Sequence, residues 1–319
     1  MGGAPAPGRG ARGAISNTAE FTVVNVRSSL RRVVGDLGGA LLPLTLRDLQ
    51  REVDERLRKA PRQLNDYGYD PFGFNPESAS RMAFPVAALY RYYFRAETHD
   101  IEHVPQGRVL LIANHAGQMP YDGVMLTAAM LLDANPPRLA RGMGEYFIWR
   151  LPWLGVTAAR GGSIVGTPEN CAAMLEAEEC VMAFPEGARG INKPFRQRYQ
   201  LEPFGLGFMR LALATNTPIV PVAFVGSEEQ QPGLADLRGV AEAVGLPSLP
   251  ITVTFPWLGP LGLLVALPVK YHIYFGEPLQ FSGDPSEEDA VIQRKVDAVR
   301  RSITELFKRG RSERRGIFR

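Results

Sequence analysis

Cysteine is scarce in this chain of 319 residues, and neither sign of charge dominates it. The two cysteines, Cys171 and Cys180, form no CxxC pair and have no histidine close by in the sequence. This argues against a disulfide framework or a cysteine-based metal site, so we expect buried structural thiols in a reducing compartment. Lysine and arginine number 36 against 33 acidic residues, a balance that argues against a nucleic-acid partner.

The chain has no apolar segment near residue 1, so we expect no secretory signal peptide. Residues 1–40, which begin with a run of glycine, alanine, proline and arginine, are predicted to form a disordered or weakly ordered tail. Arginines recur in this tail and again at 311–319, which we predict to be a basic C-terminal tail. Such residues could be solvated, or could touch anionic lipid headgroups at about 1 kcal/mol each.

A helical segment is predicted at 41–98. Its first helix, at about 44–64, has apolar residues at helical spacing and is ended by a turn rich in glycine and proline at 66–76. The second, at about 78–95, carries many aromatic residues beside two arginines, a composition typical of a membrane interface. A core helix could have the same composition, and we predict membrane contact for this segment.

Strands and helices alternate over 99–310, which we predict to be one domain. The predicted strands are 108–113, 181–184, 219–225 and 270–275, and the predicted helices are 121–132, 167–178, 201–215 and 284–307. Aliphatic strands that alternate with helices imply βαβ units. The predicted fold class is therefore α/β, with a largely parallel central sheet flanked by helices and an N-terminal helical segment that associates with a membrane.

Residues 249–269 contain no charge over a length that could cross a bilayer. Four prolines and two glycines within this run make a continuous spanning helix a poor fit. Two interpretations stay open, a buried strand-and-loop segment and an apolar flap at a membrane interface that carries Trp257. Neither includes a transmembrane helix.

The strand at 108–113 is followed by His115, at the sheet edge where α/β proteins place their sites. Asp122 comes seven positions later, which would be about 10 Å along one continuous helix. Gly117 and Pro120 favour a loop that doubles back, with Asp122 in the first turn of the next helix. The carboxylate could then hold one imidazole nitrogen while the other accepts a hydroxyl proton, although a surface or capping pair is the simpler interpretation.

A second motif, FPEGAR at 184–189, also follows a strand and so belongs to the same edge. Its turn offers backbone N–H groups, with Gly187 as a candidate donor to an oxyanion. The guanidinium of Arg189 suits an anionic headgroup. An ordinary turn with an internal pair between Glu186 and Arg189 is the alternative.

Together these motifs resemble the glycerolipid acyltransferase family, the PlsC-like family of lysophosphatidic acid and lysophospholipid acyltransferases, over about 66–278. The resemblance implies that His115 is the general base and that Asp122 orients it. It also implies that Glu186, Gly187 and Arg189 bind the acceptor.

Two weaker matches implicate further basic residues. The stretch GVTAARGG at 155–162 is similar to the family's second motif and implicates Arg160 in substrate binding, and Arg141 stands where relatives keep a basic residue. The stretch IVPV at 219–222 is similar to the fourth motif.

The match departs from the commonest pattern at two points. Six residues instead of four separate His115 from Asp122, a spacing found in a branch with the pattern NHSGxxPxDG, and Ala188 stands in place of threonine. This branch resembles enzymes that acylate lysophospholipids and also enzymes that esterify neutral alcohols such as diacylglycerol. The stretch GSEE at 226–229 is shared with the branch, and its sequence suggests no chemical role.

The expected reaction is acyl transfer to a lysophospholipid or 1-acylglycerol-3-phosphate from acyl-CoA or from acyl carrier protein. No serine or cysteine is placed as a nucleophile beside His115 and no GxSxG motif occurs, so direct transfer without an acyl-enzyme is expected. No cofactor or metal is expected. The partners would be a membrane phospholipid and the thioester donor, with the protein monotopic on the cytoplasmic face. The alternatives are a neutral acceptor and a non-catalytic lipid-binding protein.

Overall fold

The computed structural model describes residues 42–116, 119–150, 153–191, 193–236, 250–263 and 265–318. The predicted tail at 1–40 lies outside the described residues. Helix α1 (Leu42–Lys59) ends earlier than predicted, because Pro61 cannot continue it.

Helix α2 (Pro76–Ala88) begins where the sequence supplies a cap. The side chain of Asn75 accepts a hydrogen bond from the backbone N–H of Ser78 at 2.8 Å, and proline occupies the first helical position. Pro85 lies inside the helix and lacks an N–H. The next residues, Leu89–Tyr93, form a π-helical turn, so the α-helix ends sooner than predicted.

In the described part of the chain, seven strands form the central sheet, and two more pair in a separate antiparallel sheet, which we call the hairpin. The sheet strands are β1 (Glu97–His99), β2 (Val109–Ala113), β3 (Ala140–Gly144), β4 (Ile164–Val165), β5 (Cys180–Ala183), β6 (Ile219–Val225) and β9 (His272–Phe275). The hairpin strands are β7 (Gly233–Asp236) and β8 (Pro250–Thr252). The sheet order is β1-β9-β6-β2-β5-β3-β4, and all neighbours are parallel except β6 and β9. The predicted α/β class with a largely parallel sheet is therefore confirmed.

Helices cover both faces of this sheet. The helices described after β1 are α3 (Tyr121–Leu132), α4 (Tyr146–Arg150), α5 (Leu154–Arg160), α6 (Pro168–Glu176), α7 (Ala188–Ile191), α8 (Gly207–Ala214), α9 (Phe255–Leu258) and α10 (Asp289–Glu313). Buried residues of α3 lie in one apolar cluster and those of α6, α8 and α10 in the other. Alternate residues of β2 enter two different apolar clusters, Leu111 on one face and Leu110 with Ile112 on the other. Burial on both faces explains why this strand is uniformly aliphatic.

The helical segment that precedes the sheet shares its core. Leu49, Val53 and Leu57 of α1 are buried in the same apolar cluster as residues of β2 and α3. This packing explains their helical spacing without a membrane. Membrane contact of this segment and the domain boundaries stay predictions.

Two predicted helices differ from the observed ones at their ends. Helix α8 begins at Gly207 because Pro203 and Gly205 interrupt the start of the predicted helix. Helix α10 runs on to Glu313, into the predicted basic tail, and Arg314 beyond it pairs with Glu229 at 2.8 Å.

The uncharged run at 249–269 contains strand β8, helix α9 and a 3₁₀ turn, Gly259–Leu263. It therefore combines a strand-and-loop path with an exposed apolar surface, since Trp257 is 83% exposed and Leu261 66% exposed. Within the described residues, every helix is too short or too polar to cross a membrane.

Candidate active site

His115 and Asp122 meet at the carboxyl end of β2. Asp122 lies in the first turn of α3, and its Oδ2 is 2.7 Å from His115 Nδ1. The N–H of Ala116 also donates to Asp122 Oδ2, at 2.9 Å, so the residue after His115 lies against the first turn of α3. The doubling back that the sequence predicts is thus present, although Gly117 lies outside the described residues.

The surroundings of this pair make the imidazole more basic. Asp122 is fully buried and accepts a further hydrogen bond from the N–H of Gly123 at 2.8 Å. Burial by itself lowers the pKa of His115, but the charge and hydrogen bond of Asp122, helped by Glu186, outweigh burial and raise this pKa above its ordinary value. The result is a stronger base whose Nδ1 is held and whose Nε2 is left for chemistry.

Glu186 supports His115 from the turn that follows the neighbouring strand β5. Its side chain is almost fully buried, and Oε1 accepts the backbone N–H of His115 at 2.9 Å. Oε2 accepts the N–H of Glu202 at 2.8 Å and pairs with Lys193 at 3.2 Å. Because both oxygens are engaged, the geometry gives Glu186 a positioning role. Its predicted contact with the acceptor stays a prediction.

A buried polar network extends from Glu186 towards the C-terminal helix. Lys193 pairs with Glu228 at 3.3 Å, and Glu228 accepts the N–H of Tyr199 at 2.7 Å. The Tyr199 hydroxyl donates to Glu229, which also pairs with Arg314. Burial raises the pKa of Glu228 to about 7, although Lys193 opposes this shift.

The GSEE stretch, for which the sequence suggested no role, supplies this network. Gly226 has φ of +110°, and a Cβ there would lie 2.2 Å from the carbonyl oxygen of Lys270, so only glycine fits the turn. The turn places Glu228 and Glu229 in the interior. A pair of glutamates directly after a buried strand was the available signal, but their partners are distant in sequence.

The FPEGAR turn is built on Gly187, which has φ of +56°. Its N–H donates to the carbonyl of Phe184 at 3.0 Å, so this donor already has an acceptor within the turn. Arg189 is exposed, and its guanidinium donates to the carbonyl of Pro203 at 3.0 Å. The roles predicted for Gly187 at an oxyanion and for Arg189 at the acceptor stay predictions.

Arg141 and Arg160 lie in contrasting surroundings. Arg141 is fully buried and pairs with Asp70 and, at 2.8 Å, with Glu179. The pair with Asp70 joins the turn before α2 to β3. Substrate could reach this guanidinium only if the protein around it moved, because the side chain is fully buried. Arg160 ends α5 and is exposed, so it is accessible to substrate. Substrate binding by either residue stays a prediction.

Two depressions adjoin the histidine. The first, which we call the Phe184 groove, has an empty volume of about 700 Å³ including its open mouth. Its apolar lining includes Met143, Tyr146, Phe184, Pro185 and Phe208. The ring of Phe184 also lies against the His115 ring, with 4.6 Å between centroids, so one wall residue of the groove contacts the base.

The second depression, the Lys193 cavity, is narrow and has an empty volume of about 250 Å³ including the solvent at its opening. Ala116 and Gly190 line it together with Lys193, Arg198 and Glu228. A Cβ on Gly190 would lie 2.7 Å from the carbonyl oxygen of His115, so glycine allows the FPEGAR turn to pack directly on the histidine.

The two cysteines take no part in this site. Both are buried, and burial raises the pKa of Cys171 to about 12 and that of Cys180 to about 11. Neither is a thiolate near neutral pH. The fold and site thus define an α/β protein with a buried His–Asp pair at the carboxyl edge of its sheet.

Comparison with known proteins places this site in a family. Residues 95–225 match the family described as Acyltransferase. Proteins of Mycobacterium tuberculosis and Mycobacterium leprae, both named only as uncharacterized, are 37% and 36% identical over 263 residues, which cover 81% of this chain and 73% and 71% of theirs. The chain therefore belongs to the acyltransferase family, and the resemblance to glycerolipid acyltransferases is confirmed.

Two weaker matches are named by activity. A Gallus gallus protein named as a DGAT1/2-independent enzyme synthesizing storage lipids is 23% identical over 65% of this chain and 58% of its own length. The crystal structure of the 1-acyl-sn-glycerophosphate acyltransferase PlsC of Thermotoga maritima is 15% identical, with a TM-score of 0.45 over 72% of this chain and 81% of that one.

Proposed function

We propose that this chain transfers a fatty acyl group from acyl-CoA or acyl carrier protein to the hydroxyl of a lysophospholipid or 1-acylglycerol-3-phosphate. The observation that carries the proposal is the buried pair of His115 and Asp122 in a chain of the acyltransferase family. No cofactor enters the proposed reaction, since an alcohol and a thioester together supply every atom of the ester and the thiol.

The proposed mechanism follows from the held imidazole. Asp122 fixes the proton on Nδ1 of His115, so Nε2 carries the lone pair and accepts the proton of the acceptor hydroxyl. The hydroxyl oxygen attacks the thioester carbonyl, and the C–S bond breaks as the ester C–O bond forms. The leaving thiolate then accepts from the imidazolium the proton that the hydroxyl gave up. General-base assistance of this kind contributes about 10²–10⁴-fold.

The Phe184 groove is the proposed site of the acyl chain. Its aromatic and aliphatic walls suit a hydrocarbon, since each buried methylene is worth about 0.8 kcal/mol. Phe184 both lines the groove and lies against His115, so a chain bound there would bring its thioester end towards the base.

The acceptor is proposed to enter on the side of the Lys193 cavity. Arg198 lines this cavity and is exposed, and Arg189 is exposed on the adjoining FPEGAR turn, so both are available to a phosphate. A neutral acceptor is the second candidate. It is favoured by the internal pairing of Arg141 and Lys193, which leaves fewer basic groups for an anion, and by the similarity to an enzyme named for storage-lipid synthesis.

We further propose that the protein is peripheral on the cytoplasmic face of a membrane, through the exposed part of its uncharged run. Trp257, Leu258 and Leu261 are 83%, 47% and 66% exposed. Indole and aliphatic side chains on one uncharged segment are typical of contact with a bilayer surface.

The test is an acceptor panel with purified protein and palmitoyl-CoA or palmitoyl carrier protein as donor. The acceptors are lysophosphatidic acid, a lysophospholipid, diacylglycerol and a long-chain alcohol. Wild type is compared with His115→Ala and with His103→Ala, a control histidine that pairs with Glu277 at 3.1 Å outside the site.

Acylation of a lysolipid that is lost in His115→Ala and kept in His103→Ala is the expected result. Transfer to neutral alcohols alone would support the second candidate. If no acceptor is acylated with either donor, or if His115→Ala keeps full activity, the proposal is wrong. If no acceptor is acylated, a non-catalytic lipid-binding protein becomes the better interpretation.

A further inference from the structure

Three side chains that commonly bind metals meet at the β1 edge of the sheet. Glu97 and His99 are two residues apart in β1, so both point to the same face. The register of the parallel pair sets Glu97 beside His272 of β9, which brings the third side chain to that face. The potential ligand atoms of the three all lie within 4.8 Å of one another.

The separations of these atoms match a tetrahedral metal site. His99 Nε2 is 3.2 Å from His272 Nδ1, and His272 Nδ1 is 3.5 Å from Oε2 of Glu97. Zn²⁺ binds imidazole nitrogen and carboxylate oxygen at about 2.0–2.2 Å, and the corners of such a tetrahedron are about 3.3–3.6 Å apart. The third pair of atoms, on His99 and Glu97, lies within 4.8 Å, so one ion could bind all three atoms after adjustment of the exposed Glu97 side chain.

The surroundings hold these side chains in place. The ring of His99 stacks on Tyr274, with 4.1 Å between centroids and 5° between planes, and His272 is 7% exposed. Lys270 donates to the other oxygen of Glu97, which orients this carboxylate. The Glu97 side chain is 50% exposed, so an ion can reach the cluster from solvent.

The charges around the cluster are compatible with a cation. The nearby positive groups are already paired, Lys270 with Glu97, Arg309 with both Asp100 and Glu313, and Arg314 with Glu229. These seven side chains comprise four carboxylates against three cations. The two histidines contribute no formal charge when they act as ligands.

We propose that Glu97, His99 and His272 bind a divalent transition-metal cation of the zinc type. Two imidazoles and one carboxylate are a donor set that suits such ions, and water would complete the coordination. The ion would join the edge strand β1 to β9 and so stabilise this edge of the sheet. This site is independent of the proposed acyl transfer, which uses neither its residues nor a metal.

The test is two titrations of the metal-free full chain. Binding of Zn²⁺ is measured by calorimetry, and binding of Co²⁺ is measured by visible absorption. Wild type should bind one ion per chain, show the absorption bands of tetrahedral Co²⁺, and melt at a higher temperature with Zn²⁺. His99→Ala and His272→Ala should each bind Zn²⁺ at least 10–100-fold more weakly, since loss of even an orienting partner costs about that much.

His103→Ala is the matched control and should bind like wild type, because His103 bonds instead to the carbonyl of Phe275 and to Glu277. Circular dichroism without metal separates loss of a ligand from loss of the fold, and His99→Gln provides a second variant of similar size. Failure of folded wild type to bind Zn²⁺ would overturn the proposal. Equal affinity in wild type and His99→Gln would do the same. Since no acyl donor is used, neither result depends on the transferase activity.

Discussion

Replacing Asp122 with asparagine should disable the proposed base while keeping the shape of the site. Oδ2 of Asp122 accepts from both His115 Nδ1 and the N–H of Ala116, and Oδ1 accepts from the N–H of Gly123. Asparagine has one acceptor where aspartate has two, so an amide NH₂ must face an N–H group in either orientation. If the NH₂ replaces Oδ2, it favours the imidazole tautomer with its proton on Nε2, which cannot accept a proton from the substrate.

The expected loss is about 10²–10⁴-fold in kcat/KM, equal to about 3–5 kcal/mol of transition-state stabilisation. The pH profile should change as well. Transfer requires neutral His115, so wild-type activity falls as pH drops through the raised pKa of this group. Asp122→Asn removes the charge that raises the pKa and leaves burial, which lowers it. The acid limb of the variant should therefore move to lower pH, although its plateau is much lower.

The assay is steady-state transfer from palmitoyl-CoA to the best acceptor between pH 5 and 9, for Asp122→Asn, His115→Ala and the double variant. Because the two residues act as one unit, the double variant should lose little more than His115→Ala. The reasoning is refuted if Asp122→Asn keeps more than about a tenth of wild-type activity, or if the two losses simply add. Melting temperatures identify any loss that comes from unfolding.

Glu186→Gln should lower kcat by about tenfold and leave KM nearly unchanged, because this side chain acts through the backbone N–H of His115. Glu228→Gln should flatten the dependence of stability on pH. Burial raises the pKa of Glu228 from 4.5 to about 7, so the folded state holds its proton longer and the free energy of unfolding falls as pH rises between these values. The slope is at most about 1.4 kcal/mol per pH unit. Trp257→Ala should weaken binding to phospholipid vesicles roughly tenfold, from lost apolar contact, with an unchanged melting temperature. Tyr67→Ala, also at a highly exposed aromatic residue, should bind vesicles like wild type.

Kinetics, denaturation and vesicle sedimentation check these expectations in turn. A higher KM for a phosphorylated acceptor with unchanged kcat in Glu186→Gln would show that the side chain binds the acceptor, as the family resemblance implies. Urea denaturation gives the free energy of unfolding at pH 5 and at pH 8. The difference between these two values should be smaller for Glu228→Gln than for wild type, and an equal difference contradicts the raised pKa. Equal vesicle binding by wild type and Trp257→Ala would place the membrane surface elsewhere.

Local sequence was sufficient for the elements that carry the His–Asp pair. The helix predicted at 121–132 and the strand predicted at 219–225 have the bounds that the structure shows, and β2 differs from its predicted strand by one residue. These segments are aliphatic because they are buried, and burial is what hydrophobic patterning detects. The position of His115 directly after β2 also follows from local sequence.

The strands β1, β3 and β4 escaped prediction for a physical reason. Strand β3 (ARGMG) contains two glycines and an arginine, and β1 and β4 are only three and two residues long. None of them has the aliphatic pattern of a central strand, and each is defined by backbone pairing with a neighbour.

The sequence by itself determined the α/β class, the acyltransferase motifs and the loop that returns Asp122 to His115, because these depend on residues a few positions apart. Only the tertiary structure decided which charges are paired. Glu186 contacts His115 from 71 positions away, Arg314 meets Glu229 across 85, and Arg141 is buried against Asp70 across 71. Whether a charged side chain faces substrate or the interior depends on these long-range partners, since a charge can be buried only where an opposite charge or hydrogen-bond partner meets it.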